Sequence, residues 1–116
     1  MLPAILIIEP RREVADALQD LVMSAHYLPV VRPRLQPLAD LGFTPAAIIV
    51  RVTFEGLTPP HTGIEDLPPY RPPVIAIAWG DLEVAEASRL KCDVILRAPD
   101  EVSRLLDTLT KIVHAA

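Results

Sequence analysis

Apolar residues along this chain come in short unbroken blocks rather than in alternation. Residues 4–8 (Ala-Ile-Leu-Ile-Ile) form one such block, Val74 to Ala78 forms another, and the expected strand Ala46 to Val52 holds a third, Ala46 to Val50, closed by Arg51. A strand covered on both faces reads this way. Tyr27 to Val31 and Val94 to Leu96 are further candidates. Pro29 places the first of these at a sheet edge, because proline cannot donate to a ladder. Between the blocks the period changes. Val14, Leu18, Leu21, Val22 and Ala25 share one helical face, with Glu13, Asp16 and Asp20 outside it. His26 follows, where a left-handed residue is often needed. Pro33 to Leu41 predicts a short amphipathic helix on Leu35, Leu38 and Leu41, stopped at Gly42. Asp81 predicts an N-cap for a helix through Lys91, with Leu82, Ala85 and Leu90 inward. Pro99 or Asp100 opens a last helix carrying Val102, Leu105, Leu106, Leu109, Ile112 and Val113. Strands alternating with helices predict a parallel, doubly wound α/β sheet with right-handed crossovers.

Residues 53–73 break this rhythm. Six of the thirteen prolines fall between Pro59 and Pro73. Proline removes backbone donors, so at most one helical turn fits there, between Thr62 and Leu67. The third helix is therefore expected to be short or replaced by a Pro-rich loop. The same stretch is also a possible polyproline ligand for another domain.

Composition narrows the function. At 116 residues, residues 1–116 are expected to form one domain. Hydrophobic residues are 51% and charged residues 22%, which suits a packed core. The net charge is −4 and the arginines are scattered, so no clustered basic face for nucleic acid is expected. One cysteine, Cys92, excludes an internal disulfide and a cysteine-based zinc site, and is expected to be a packing thiol. The histidines His26, His61 and His114 share no metal-ligand spacing. Four glycines leave no room for a phosphate-cradling loop. Ser24, Ser88 and Ser103 lack a His/Asp pattern, and no enzymatic activity or cofactor is expected. The apolar runs fall short of the ~20 residues that span a bilayer. No basic region precedes the first run, so no signal peptide is expected, and the expected location is cytoplasmic.

In open α/β sheets, function gathers at the carboxyl ends of the strands. Glu9-Pro10, Arg51, Ala78 and Arg97 stand at those ends. The segments Ile5-Leu6-Ile7-Ile8-Glu9-Pro10, Pro45 to Arg51, Pro73 to Ala78 and Leu90 to Arg97 resemble the receiver domain of two-component response regulators over nearly the whole chain. The resemblance is weakest over 53–72. It implies a flavodoxin-like fold with a five-stranded parallel sheet. It also implies a phosphorylation pocket: two acids after the first strand, an aspartate after the third, a hydroxyl after the fourth and a lysine after the fifth. The acids hold Mg²⁺ through hard oxygen ligands.

By that resemblance the pocket here is vestigial. Glu9 keeps one acid and Pro10 replaces the other. Arg51 stands where the phosphoacceptor aspartate stands, and a guanidinium is no nucleophile. Ala78 lacks the hydroxyl. Arg97 keeps the lysine's charge, Ala98 replaces the following proline, and Ile95 takes the aromatic switch position. The reading is a pseudo-receiver without phosphoacceptor or metal, in which Arg51 is expected to pair with Glu9, with Arg97 close by. An acceptor at Glu55 requires a different register.

The resemblance further implies a protein partner or a homodimer, met through the face of the fourth helix, fifth strand and fifth helix. Exposed residues among Glu83, Glu86, Arg89, Arg104, Asp107 and Lys111 would form it. Trp79 is either an interface anchor or a packing residue. The expected function is phosphorylation-independent signalling or transcriptional control by protein contact, with no direct nucleic-acid or membrane binding. The alternative is a small flavodoxin-like domain that binds an anion, nucleotide or flavin at the strand ends.

Overall fold

A computed structural model describes residues 2–33, 35, 37–51, 67 and 71–114. Five parallel strands build one sheet: β1 (Ala4–Ile8), β2 (Leu28–Arg32), β3 (Ala47–Arg51), β4 (Val74–Ala78) and β5 (Val94–Arg97). Their spatial order is β2-β1-β3-β4-β5. Pro29 thus lies on an edge strand, where its missing N–H costs least. The described helices are α1 (Arg12–Ser24), α2 (Asp81–Arg89) and α3 (Leu105–Val113). Helices cover both faces of the five-stranded parallel sheet, as expected for a doubly wound α/β fold. The expectations for Val52, Glu55, His61 and the turn at 62–67 lie largely outside the described residues.

Strand side chains alternate between two cores. Ile5, Ile7, Ala47, Ile49, Ile75 and Ile77 face α1 and α3, meeting Leu18, Val22, Leu105 and Leu109. Leu6, Ile8, Ile48, Val50, Val74 and Ala76 face the other way, onto Ala87 and Leu90. Each such buried Ile or Leu stabilises the fold by roughly 1.5–3 kcal/mol relative to exposure. The continuous apolar blocks exist because both faces need filling.

Four local expectations are corrected. Residues 33–41 hold only a 3₁₀ turn, Leu38–Asp40, started by Pro37. Pro33 and Pro37 interrupt any longer helix, yet Leu35, Leu38 and Leu41 still pack on the α2-side core. In α2, Leu82 is 77% exposed and Ala85 is also outward. Ala87 and Leu90 are the buried positions, three residues apart on one face. Asp81 is the first helical residue and not the cap; the cap residue is Gly80, at φ 100° and ψ 172°. The last helix also begins later than expected, with a 3₁₀ turn over Val102–Arg104 leading into α3 at Leu105. His26 is left-handed at φ 65°, as anticipated, and Lys91 is too, at φ 59°.

Candidate functional site

The carboxyl ends of β1, β3, β4 and β5 meet along one sheet edge. Ile8 is level with Val50, Arg51 with Ile77, and Ala78 with Arg97. Glu9 follows Ile8 and is 2% exposed. Its Oε1 accepts the Arg11 N–H at 2.9 Å, just ahead of α1. A carboxylate there also suits the positive end of the helix dipole. Its Oε2 is buried and has no hydrogen-bond partner.

Arg51 ends β3, half-buried. Its guanidinium lies 5.5 Å from the centroid of the Trp79 ring, a cation–π stack. Its Nε is buried and finds no acceptor. The expected Glu9–Arg51 ion pair does not form: among the described residues no ion pair joins them within 4.0 Å. Both residues contribute to the lining of a cavity of about 170 Å³, walled by α1 through Val14, Leu18 and Leu21 and by Ile77 and Val102. Trp79, 48% exposed, borders its mouth. That is smaller than the roughly 300–1,000 Å³ of sites for larger ligands.

Arg97 is not brought to this cavity. Leu96 faces the α1 side, so the next residue faces the α2 side. Arg97 donates to Asp81 Oδ1 at 3.0 Å, in an exposed pair with little stabilising value. Ala78 is fully buried and offers no hydroxyl, and Pro10 is exposed. The chain leaves β5 through a cis Ala98–Pro99 bond. No group of three His, Cys, Asp or Glu able to hold a metal occurs among the described residues. Cys92 packs on the α2-side core, and burial pushes its thiol up to about 11.

Trp79 is the site residue the sequence reading left undecided. Its position has a local cause. Its N–H donates to Glu83 Oε1 at 3.0 Å, a reach-back across the start of α2. Gly80 supplies the turn between them. A tryptophan directly after one strand end, beside an arginine at the next, is the signal that points to the stack.

Two residues of the expected interaction face make contacts within the chain. Glu83 is engaged at Trp79. The Glu86 side chain is 11% exposed and pairs with Arg89, whose hydrogen bonds hold its carboxyl below the ordinary range. Arg89, Arg104, Asp107 and Lys111 are exposed on α2 and α3 or next to α3, with Arg104 beside Glu101 at 3.4 Å. Among the described residues no helix is long and apolar enough to cross a membrane.

The single sheet with order β2-β1-β3-β4-β5 and helices on both faces defines a receiver-type, flavodoxin-like fold. Solved structures agree. The response regulator receiver protein of Burkholderia phymatum superposes with a TM-score of 0.75 at 21% identity, over 96% of this chain and 94% of that one. A response regulator receiver domain protein of Clostridium thermocellum gives 0.78 at 15%, over 98% and 96%. The BeF3-activated N-terminal receiver domain of Klebsiella pneumoniae RstA gives 0.75 at 16%, over 96% and 98%. At these identities the likeness is one of fold. No family model and no curated protein matches the sequence.

Proposed function

We propose that this chain is a phosphorylation-independent, receiver-like signalling module that acts by contact with another protein or with a second copy of itself. One observation carries the reading: a guanidinium, stacked on Trp79, ends the strand where a receiver carries its phosphoacceptor. Arginine has no lone pair to attack phosphorus. It also places a fixed cation where Mg²⁺ would need carboxylates. Pro10 and Ala78 remove the second acid and the hydroxyl. The module is proposed to be non-enzymatic and to need no cofactor, and two-component signalling or transcriptional control is the setting that suits it.

Incubation with acetyl phosphate and Mg²⁺, followed by intact-mass measurement, tests the reading. No hydroxylamine-labile adduct is expected; one would overturn it. The surface is tested separately. Arg104→Glu with Lys111→Glu reverses two exposed charges on the α2–β5–α3 side and should weaken partner capture or self-association. Unchanged association would refute that surface.

A further inference from the structure

Arg51 stands between two neighbours that cannot both hold its guanidinium. β3 lies between β1 and β4, so Glu9 follows the end of one flanking strand and Trp79 the end of the other. Ile8 is level with Val50, and Arg51 with Ile77. Ile8 and Val50 belong to the α2-side core, so the next residues turn to the α1 side, where Glu9, Arg51 and Trp79 line one space. The guanidinium lies on the Trp79 ring, 5.5 Å from its centroid. The Glu9 side is left incomplete. Its Oε1 is held by the Arg11 N–H at 2.9 Å, and its Oε2 is buried without a partner. Arg51 Nε is likewise buried without an acceptor. Buried polar groups are nearly always satisfied. One spare acceptor and one spare donor at the ends of adjacent strands are what a broken ion pair leaves behind.

We infer that Arg51 is a two-position switch: stacked on Trp79 in the state described above, and paired through Nε–H with Glu9 Oε2 in a second state. The move satisfies both spare groups and uncovers the face of the Trp79 ring. Opposing terms keep the two states close in free energy. The stack leaves the cation beside a half-exposed ring, while the pair gains a charge-assisted hydrogen bond but draws charge further out of water. Space for the move exists. The cavity of about 170 Å³ that both side chains line exceeds a guanidinium, a group on the order of two waters at roughly 30 Å³ each. The ladder holds the strand ends, so only side chains need to turn. Trp79 is 48% exposed and carries the state to the surface. A partner that covers the freed ring face binds the paired state better and shifts the balance toward it. That output role rests on the signalling reading; the switch itself does not. Acetyl phosphate reports on the nucleophile and the position of Arg51 reports on the switch, so either can fail alone.

Nitrogen NMR of the intact protein tests it on two side-chain signals. The chain has one tryptophan, so its indole N–H is unambiguous, and Arg51→Lys assigns the Arg51 Nε–H by its loss. Relaxation dispersion should show both signals exchanging between the same two states, with the minor one at roughly 1–10%. Glu9→Gln keeps an oxygen for the Arg11 N–H but removes the charge. The minor population should then fall by roughly tenfold, the effect of a neutral acceptor in place of a charged one. Because that variant alters a buried residue, Trp79→Leu provides a second arm at a half-exposed position. Without the ring to stack on, Arg51 should settle on Glu9, and its Nε–H should move to the shift of the wild-type minor state. Absence of exchange at the Arg51 Nε–H of the wild type overturns the inference. So does exchange that Glu9→Gln leaves unchanged, or an Arg51 Nε–H that keeps its major-state shift in Trp79→Leu.

Discussion

Arg51→Asp places a carboxylate where a receiver would have one, and the surroundings here should reject it. Arg51 stands one residue beyond the Ile8–Val50 pair, on the strand adjacent to Glu9. Neighbouring strands are about 4.8 Å apart. The two carboxylates would therefore lie roughly 6 Å apart, at about 3 kcal/mol of repulsion with an effective dielectric of 20. A comparable Glu9–Arg51 attraction is lost, along with roughly 0.5–1 kcal/mol of stacking on Trp79. Relief of the buried Nε–H returns about 1–3 kcal/mol. The net loss is about 4 kcal/mol, a large share of the roughly 5–15 kcal/mol a domain has. Urea denaturation should show the midpoint falling by about 2 M at pH 7 for m near 2 kcal/mol/M. The sign with pH follows from linkage. Two acids sharing a site hold a proton above the ordinary carboxylate range when folded. Stability is then retained at low pH and lost as pH rises through that raised value, so the deficit should shrink from pH 7 toward pH ~4. Arg51→Met, which adds no second acid, should lose less. A midpoint for Arg51→Asp equal to wild type, or a deficit unchanged between neutral and acid pH, would refute the shared-site geometry.

Two further predictions concern the other end of the sheet and the α2-side core. Burial holds the Cys92 thiol at about 11 against an ordinary 9.0, so its stabilising contribution is complete below pH 9 and lost as pH rises toward 11. Denaturation across that interval should show wild type losing stability relative to Cys92→Ala, and thiol labelling at pH 8 should be slow until urea unfolds the chain. Asp93 Oδ2 accepts the Val74 N–H at 2.7 Å, at the start of β4, and lies 3.7 Å from Arg71. Asp93→Ala should cost about 1–3 kcal/mol by urea denaturation, with Asp93→Asn recovering much of it; equal losses would mean that the acceptor role is not what matters.

How much the sequence could reveal depended on how many sides a residue had to choose between. β1, β3 and β4 are covered on both faces, so unbroken apolar blocks identified them whatever their register. Pro29 placed β2 at the edge by a missing donor. Position at a strand end was equally legible, which is why Glu9, Arg51, Ala78 and Arg97 were found together. The side to which each end points was not legible. It follows a two-residue alternation fixed by the register of each strand against its helices. Leu96 belongs to the α1–α3 core, so Arg97 turns away from Glu9 and Arg51 toward Asp81. The inward face of α2 was lost for a related reason. Leu82 is its most apolar residue, but the turn at Gly80 sets the helix phase, and Ala87 falls on the sheet.

That turn also fixes Trp79, so Gly80 links the backbone to the candidate site. Its φ of 100° and ψ of 172° lie in a region essentially confined to glycine. A Cβ built there meets nothing within 4 Å, so crowding would add nothing to the cost of Gly80→Ala. The cost is conformational alone, roughly 1–3 kcal/mol. Part of it can be relieved if the backbone rotates, but rotation pulls the Trp79 N–H off Glu83 and the ring off Arg51. The variant should therefore change the emission of the single tryptophan along with its stability. A stability loss with unchanged Trp79 emission would show that strain is borne in place and that the stack does not depend on the turn. Wild-type stability would show that the turn is not glycine-dependent at all.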